Sequence, residues 1–175
     1  MPQSVKTPVT CKPQELENFR KMLLSSGLEG EDGLAERVAR AEWLAFQYDE
    51  RKQLIGIAAL KRPVEGYQKG VFKKAGLLEQ VGEYPLEFGW VAVLEEYRGR
   101  GVAAALLRRL LQKAGNLGIF SVARSSDKNN VAGLEKQGFV ASGEPYSRRS
   151  HRYTYRVFLR LAAGQAAPPE AEPED

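Results

Sequence analysis

The sequence predicts a mixed α/β (α+β) protein built on a central, mostly antiparallel sheet. Three observations carry that prediction. Stretches with helical spacing and stretches of strand composition alternate along the chain instead of segregating into halves. Near the middle, an apolar run at residues 86–94 leads through Tyr97-Arg98-Gly99-Arg100-Gly101-Val102-Ala103 into an amphipathic helical pattern. The 175 residues, 43% of them apolar, suffice for one well-buried core and fall short of two ordinary domains. We therefore expect one domain over residues 1–162.

Taken in order, residues 14–26 place Leu16, Phe19, Leu23 and Leu24 on one helical face, and Gly27 is suited to end that helix. A weaker helix is expected over 33–41. Residues 42–48 have strand composition, and after a turn at 49–52 the run 53–61 reads as their antiparallel partner. Residues 63–83 are polar and punctuated by glycine, with a helical turn at 67–75 that carries Val71, Phe72 and three lysines. That segment is either a substrate-side loop or a packed surface insertion. Val102, Leu106, Leu107, Leu110, Leu111 and Ala114 form a buried stripe, while Arg108, Arg109, Gln112 and Lys113 face outward. A short strand at 119–123, a helix at 129–137 and closing strands at 139–144 and 152–161 complete the pattern. Residues 163–175 hold four acids, three prolines and no aromatic or large aliphatic side chain, so they cannot offset their ordering entropy and are expected to be disordered.

The net charge of +4 hides an asymmetry. Without that acidic tail the chain carries 26 basic against 18 acidic residues, a surplus of +8. The surplus suits an anionic ligand. Nucleic acid is not favoured as a partner, because no recognition element interleaves aromatics with the basic residues. No apolar run approaches the length of a membrane span, and no signal-type hydrophobic segment follows Met1-Pro2-Gln3-Ser4, so a cytoplasmic protein without membrane association is expected. Cys11 reads as a small residue near the first strand, since no neighbouring His would activate it as a thiol.

The turn at 97–103 is where chemistry enters. The first N–H groups of a helix have no intrahelical partner, and the aligned peptide dipoles add partial positive charge there. Gly99 and Gly101 remove the Cβ atoms that would hold a ligand off the backbone, and Arg98 and Arg100 add donors that match phosphate oxygens. A pyrophosphate-like anion is expected on the amides of Gly101, Val102 and Ala103. A dinucleotide fingerprint would need another glycine where Ala104 stands, and a Walker loop would need Gly-Lys-Ser/Thr.

Arg98-x-x-Gly101-x-Ala103 after an apolar strand resembles the acetyl-CoA-binding signature Arg/Gln-x-x-Gly-x-Gly/Ala of the GNAT N-acetyltransferase superfamily. Leu134-Glu135-Lys136-Gln137-Gly138-Phe139 resembles the superfamily's second signature, a short helix closing on Gly-Phe. The resemblance implies a sheet of six to seven strands flanked by about four helices, with acetyl-CoA as co-substrate, no metal, and an amine as acceptor. It implies that the strand at 89–93 splays from its neighbour, so that the backbone at Val91 and Val93 meets the pantetheine arm. Asn129 or Asn130 occupies the region where members place an Asn on that arm, although counting from Gly138 puts Asp127 there. A Glu at the offset of Glu87 serves as general base in one branch of the family. By strand alternation Glu87 should share a sheet face with Gly89, Val91 and Val93. The competing reading is a strand-end carboxylate paired with a Lys or Arg, with Glu83 and Tyr84 as substitutes for the base.

Many members carry a Tyr proton donor four residues before the second signature's glycine, and Leu134 stands there in this chain. Ser125, Ser126, Tyr146 and Tyr153 are the remaining hydroxyl candidates. The cluster 147–152 (Ser-Arg-Arg-Ser-His-Arg) reads as contacts to an acidic substrate, contacts to the CoA 3′-phosphate, or a solvated hairpin tip. The implied function is acetyl transfer from acetyl-CoA to a primary amine by direct attack in a ternary complex. The alternative is a catalytically silent or weak acyl-CoA-binding module of the same fold. Dimers are common in the family, so a homodimer is carried as an expectation.

Overall fold

A computed structural model describes residues 3–148 and 152–161. Seven strands, β1 (Gln3–Lys6), β2 (Trp43–Tyr48), β3 (Leu54–Lys61), β4 (Leu86–Val93), β5 (Ile119–Arg124), β6 (Val140–Ser147) and β7 (Thr154–Arg160), form one sheet in the order β1-β2-β3-β4-β5-β7-β6. Every pairing is antiparallel except β4 with β5. The helices are α1 (Pro13–Ser26), α2 (Leu34–Ala39), α3 (Glu65–Lys74), α4 (Val102–Ala114) and α5 (Lys128–Glu135). Among the described residues no helix is long and apolar enough to cross a membrane.

The sheet is covered on both faces. On one, α4 lays Leu106, Leu107 and Leu110 over Ala45, Ala58, Leu60, Leu86 and Phe88. The close approach requires glycine: a Cβ on Gly56 would stand 2.7 Å from Val102 Cγ1. On the other, α1 and α2 bury Phe19, Leu23, Leu34 and Val38 against Leu44, Phe46, Ile57 and Ala59. A third cluster joins α3 to the far strands, with Phe72 edge-on to Phe120 at 5.1 Å between ring centroids. Pro13 opens α1, where a missing N–H is no loss, and Gly27 (φ 71°) ends it in the left-handed region.

The elements fall close to their expected places, with four instructive differences. β1 went unpredicted because Gln-Ser-Val-Lys is too short and polar to show a period; it is held as an edge strand by pairing along β2. The segment 63–83 folds as the ten-residue helix α3 followed by a 3₁₀ turn (Leu78–Glu83), not as a single helical turn. β6 runs past Pro145 to Ser147 instead of ending at Glu144, which is tolerated because it is the outermost strand and bulges between Ser142 and Tyr146. The fourth difference lies in β4. Against β3, Ile57 pairs with Ala92 but Ala59 pairs with Gly89, so β4 contains one extra residue. That bulge is centred on Trp90, a non-glycine residue at φ 54°.

Candidate active site

The bulge inverts alternation along β4. Leu86 and Phe88 face α4, whereas Trp90 and Ala92 join the α1–α2 face, and Val91 and Val93 pack on the α4 side. Glu87 therefore does not share a face with Val91 and Val93, contrary to the alternation expected above. The reason is the extra residue between them. β4 thus presents a carboxylate on one side of the sheet and, a few residues on, two valines on the other.

Pairing of β4 with β5 covers only Leu86, Glu87 and Phe88 opposite Ile119, Phe120 and Ser121. Beyond Phe88 the strands part, and Ser121 Oγ donates to the Phe88 carbonyl at the fork (3.0 Å). Leu94 N–H donates back to Ile55, while the preceding carbonyl, Val93, accepts from Arg98 Nε at 3.2 Å. The backbone of 89–93 consequently has no β5 ladder to satisfy it.

The turn after the strand leads to an uncapped helix. Gly99 and Gly101 take φ values of 73° and 77°, which L side chains resist, and no heavy atom lies within 4 Å of where their Cβ atoms would stand. No side chain caps α4 and no acid lies in its first turn. The side chain of Val102 is in the core, so only its backbone is available, and Ala103 is exposed. Arg98 and Arg100 are exposed without an ion-pair partner among the described residues, Arg100 lying 5.4 Å from the Tyr97 ring centroid. The turn is anchored from below. Tyr97 Oη donates to Asp49 Oδ2 (3.1 Å) and Gln53 N–H to Oδ1 (2.8 Å), and these bonds, the Gln53 one foremost, hold the Asp49 carboxyl below its usual range.

Across the sheet a cleft of about 360 Å³ is lined by Glu29, Arg37, Arg40, Lys61, Arg62, Pro63, Val64, Tyr67, Glu87, Trp90 and Arg148. Glu87 is 5% exposed within it. Its Oε2 pairs with Lys61 Nζ (3.0 Å) and its Oε1 accepts from Tyr67 Oη (3.0 Å). The carboxylate is thus both a cleft group and an ion-pair partner, combining the two readings weighed from the sequence. Burial first, and then the adjacent Glu87 charge, push the Tyr67 phenol far above its usual range, so it remains protonated and able to donate. Trp90 Nε1 donates to Glu29 Oε1 (2.7 Å), and Arg37 Nη2 pairs with Glu29 Oε2 (2.9 Å), which gives the bulged tryptophan a polar anchor.

The other candidates are scattered. The Ser125 hydroxyl is buried without a hydrogen-bond partner among the described residues, and the Tyr146 hydroxyl is buried beside the Arg148 guanidinium. Tyr146 sits in the far-strand cluster, its phenol raised by burial and opposed by the Arg148 charge. Tyr84 is 1% exposed in that cluster and Glu83 is exposed on the 3₁₀ turn, so neither lines the cleft. Tyr153 is 44% exposed under the Arg124 guanidinium. Leu134 is core, 1% exposed. Asp127, not an asparagine, caps α5 by accepting the Asn130 N–H (3.1 Å), leaving the Asn129 and Asn130 side chains exposed in its first turn. Arg149, Ser150, His151 and residues 162–175 lie outside the described residues.

Lys61, Tyr67, Trp90, Glu29 and Arg148 were not singled out from the sequence as parts of one site. One signal was available: Lys61 ends the strand that pairs with β4 and is the direct cross-strand partner of Glu87. The long excursion between the two strands hides that register.

The chain matches the acetyltransferase (GNAT) family model over residues 15–139. Its fold is similar to that of an acyl-CoA N-acyltransferase from Pseudomonas aeruginosa (TM-score 0.67, 15% identity, covering 91% of this chain and 99% of that one). It is also similar to Escherichia coli ElaA (TM-score 0.66, 12% identity, 91% and 98% covered). Arabidopsis thaliana NAA60 in complex with acetyl-CoA gives a TM-score of 0.62 at 15% identity, with 93% and 100% covered. At such identities the likeness is one of fold. A search of curated proteins finds no match.

Proposed function

The chain belongs to the GNAT acetyltransferase family, and from that premise we propose that it transfers an acetyl group from acetyl-CoA to a primary amine by direct attack in a ternary complex. The observation that carries the reading is the placement of Glu87: a buried carboxylate in a small cleft, one residue before the fork at which β4 opens.

The residues around the fork fit acyl-CoA. An uncapped helix start without acids, two arginines free of carboxylates and a strand edge without a ladder are what a pyrophosphate and an amide-bearing arm require. Arg98, Gly99, Arg100, Gly101, Val102 and Ala103 would hold the phosphates, the backbone of Val91 and Val93 the arm, and Asn129 and Asn130 its far side. Bound there, acetyl-CoA would supply a thioester, whose acetyl carbon would bond to the acceptor nitrogen as the carbon–sulfur bond breaks and the coenzyme departs as its thiolate.

The chain's own residues manage protons and charge. An alkylammonium, with a pKa of roughly 10, must lose a proton before it can attack, and Glu87 is the carboxylate placed to take it. The ion pair with Lys61 orients the Glu87 carboxylate. Tyr67, bonded to Glu87, is placed to pass a proton through the same bond network, a role that Leu134 cannot fill. Ser125 and Tyr146 remain weaker donor candidates on geometry, since neither bonds Glu87.

The test is thiol release from acetyl-CoA with a broad amine panel. Transfer that falls about 100-fold in Glu87→Gln is the expected result. The second reading, an acyl-CoA-binding module without transfer, is favoured by the apolar Leu134 position. It prevails if acetyl-CoA stabilises the protein, no amine accepts, and Glu87→Gln changes nothing.

A further inference from the structure

The charges in the cleft do not balance. Both of its carboxylates are committed: Glu29 to Arg37 and Trp90, Glu87 to Lys61 and Tyr67. Arg62 is held by Glu42 at 2.5 Å. Two cations lining the cleft remain, Arg40 and Arg148, and neither has a carboxylate partner among the described residues. Arg148 is half-buried, its guanidinium 4.5 Å from the Tyr155 ring centroid and beside the Tyr146 hydroxyl, a neutral partner that leaves its charge uncompensated. A half-buried guanidinium without a counter-charge is well suited to a planar anion.

We propose that the acceptor is a free amino acid-type amine, whose carboxylate is received by Arg148 and Arg40 while its amine lies at Glu87. The inference rests on the acetyl-transfer reading and names its substrate class. A cleft of about 360 Å³ suits a molecule of that size. A polyamine would meet five cations against two committed carboxylates, which selects against it. An amino acid meets both features, its amine reaching Glu87 for deprotonation and its carboxylate supplying the charge that the uncommitted arginines lack.

The test is calorimetric titration of the full chain, with and without coenzyme A, alongside transfer assays. The panel holds free amino acids, the same compounds with every carboxylate converted to carboxamide, and putrescine. The carboxylate forms should bind about 10- to 100-fold more tightly than their amides, and Arg148→Gln should erase that ratio. Arg148→Lys, which keeps the charge, should restore most of it. If Arg148→Gln does not fold, Arg40→Gln at its exposed position after α2 should narrow the ratio on its own. Equal binding of acids and amides, tighter binding of putrescine, or no binding by any panel member overturns the inference. Selective binding of carboxylates without turnover overturns only the transfer reading. Turnover without carboxylate preference overturns only the inference.

Discussion

The turn at 97–103 and the cleft around Glu87 flank the same strand, yet they are assembled in opposite ways. The turn is made of consecutive residues whose distinctive features lie in the backbone: left-handed glycines, an uncapped helix and an open strand edge. The cleft is made of side chains drawn from the α1–α2 connection, α2, the end of β3 and the loop after it, α3, β4 and the end of β6. A backbone site depends on a few positions tolerating only small residues. A side-chain site depends on several elements arriving together, so its specificity can change while the fold does not.

That contrast can be broken by experiment. The largest effect is expected from Glu87→Gln, with kcat falling about 100-fold while the thermal shift caused by acetyl-CoA is unchanged; loss of that shift would show that the two sites are not separable. Next, Gly101→Val forces a β-branched residue into φ 77°. At a ligand concentration about 100 times Kd, acetyl-CoA should raise the wild-type Tm by about 5–10 °C, and the variant should lose that rise. A retained shift would move the phosphates elsewhere. Tyr67→Phe removes one hydroxyl without opening a cavity, so kcat should fall about 10-fold with the acetyl-CoA shift intact. An unaltered kcat would remove Tyr67 from proton transfer.

The smallest effect concerns the tether beneath the turn. Asp49 titrates below its ordinary 3.8 because it accepts the Gln53 N–H and the Tyr97 hydroxyl. A depressed carboxylate contributes fully above its unfolded value and loses that contribution as pH falls through the folded one. The stability difference between wild type and Asp49→Asn, read by urea unfolding, should therefore shrink from about pH 5 to about pH 3. A constant difference would assign the tether to uncharged hydrogen bonds.

The same contrast explains what could be read from the sequence. The glycine turn and the helix after it were legible because glycine and arginine at fixed offsets, before a stripe of Leu106, Leu107 and Leu110, state a local geometry. Most elements were legible for the same reason, their periodicity being local. The cleft was not. Glu87 could be named from its place on a strand, but Lys61 and Tyr67 reach it only through a cross-strand register and a helix whose cleft-facing residue shows no distinct pattern. The bulge at Trp90 left no mark, since neither glycine nor proline occupies it, and the face assigned to Val91 and Val93 was inverted as a result. Arg148 sits in a run of surface-like charge, and only the pairing of β6 with β7 brings it to the cleft.

That extra residue has a consequence for how such a chain can vary. Trp90 can be exchanged for another residue step by step, each change costing some strain or an indole bond to Glu29. Deleting one residue there is a different kind of event. It would restore strict alternation while leaving Ala92 opposite Ile57 and Val91 and Val93 on the α4 side, because only the unpaired residue is lost. The bulge therefore holds its extra residue without changing which side chains the two halves of β4 turn to each face. Substituting Trp90 removes a side chain and its bond to Glu29, whereas deleting it removes the kink in the strand.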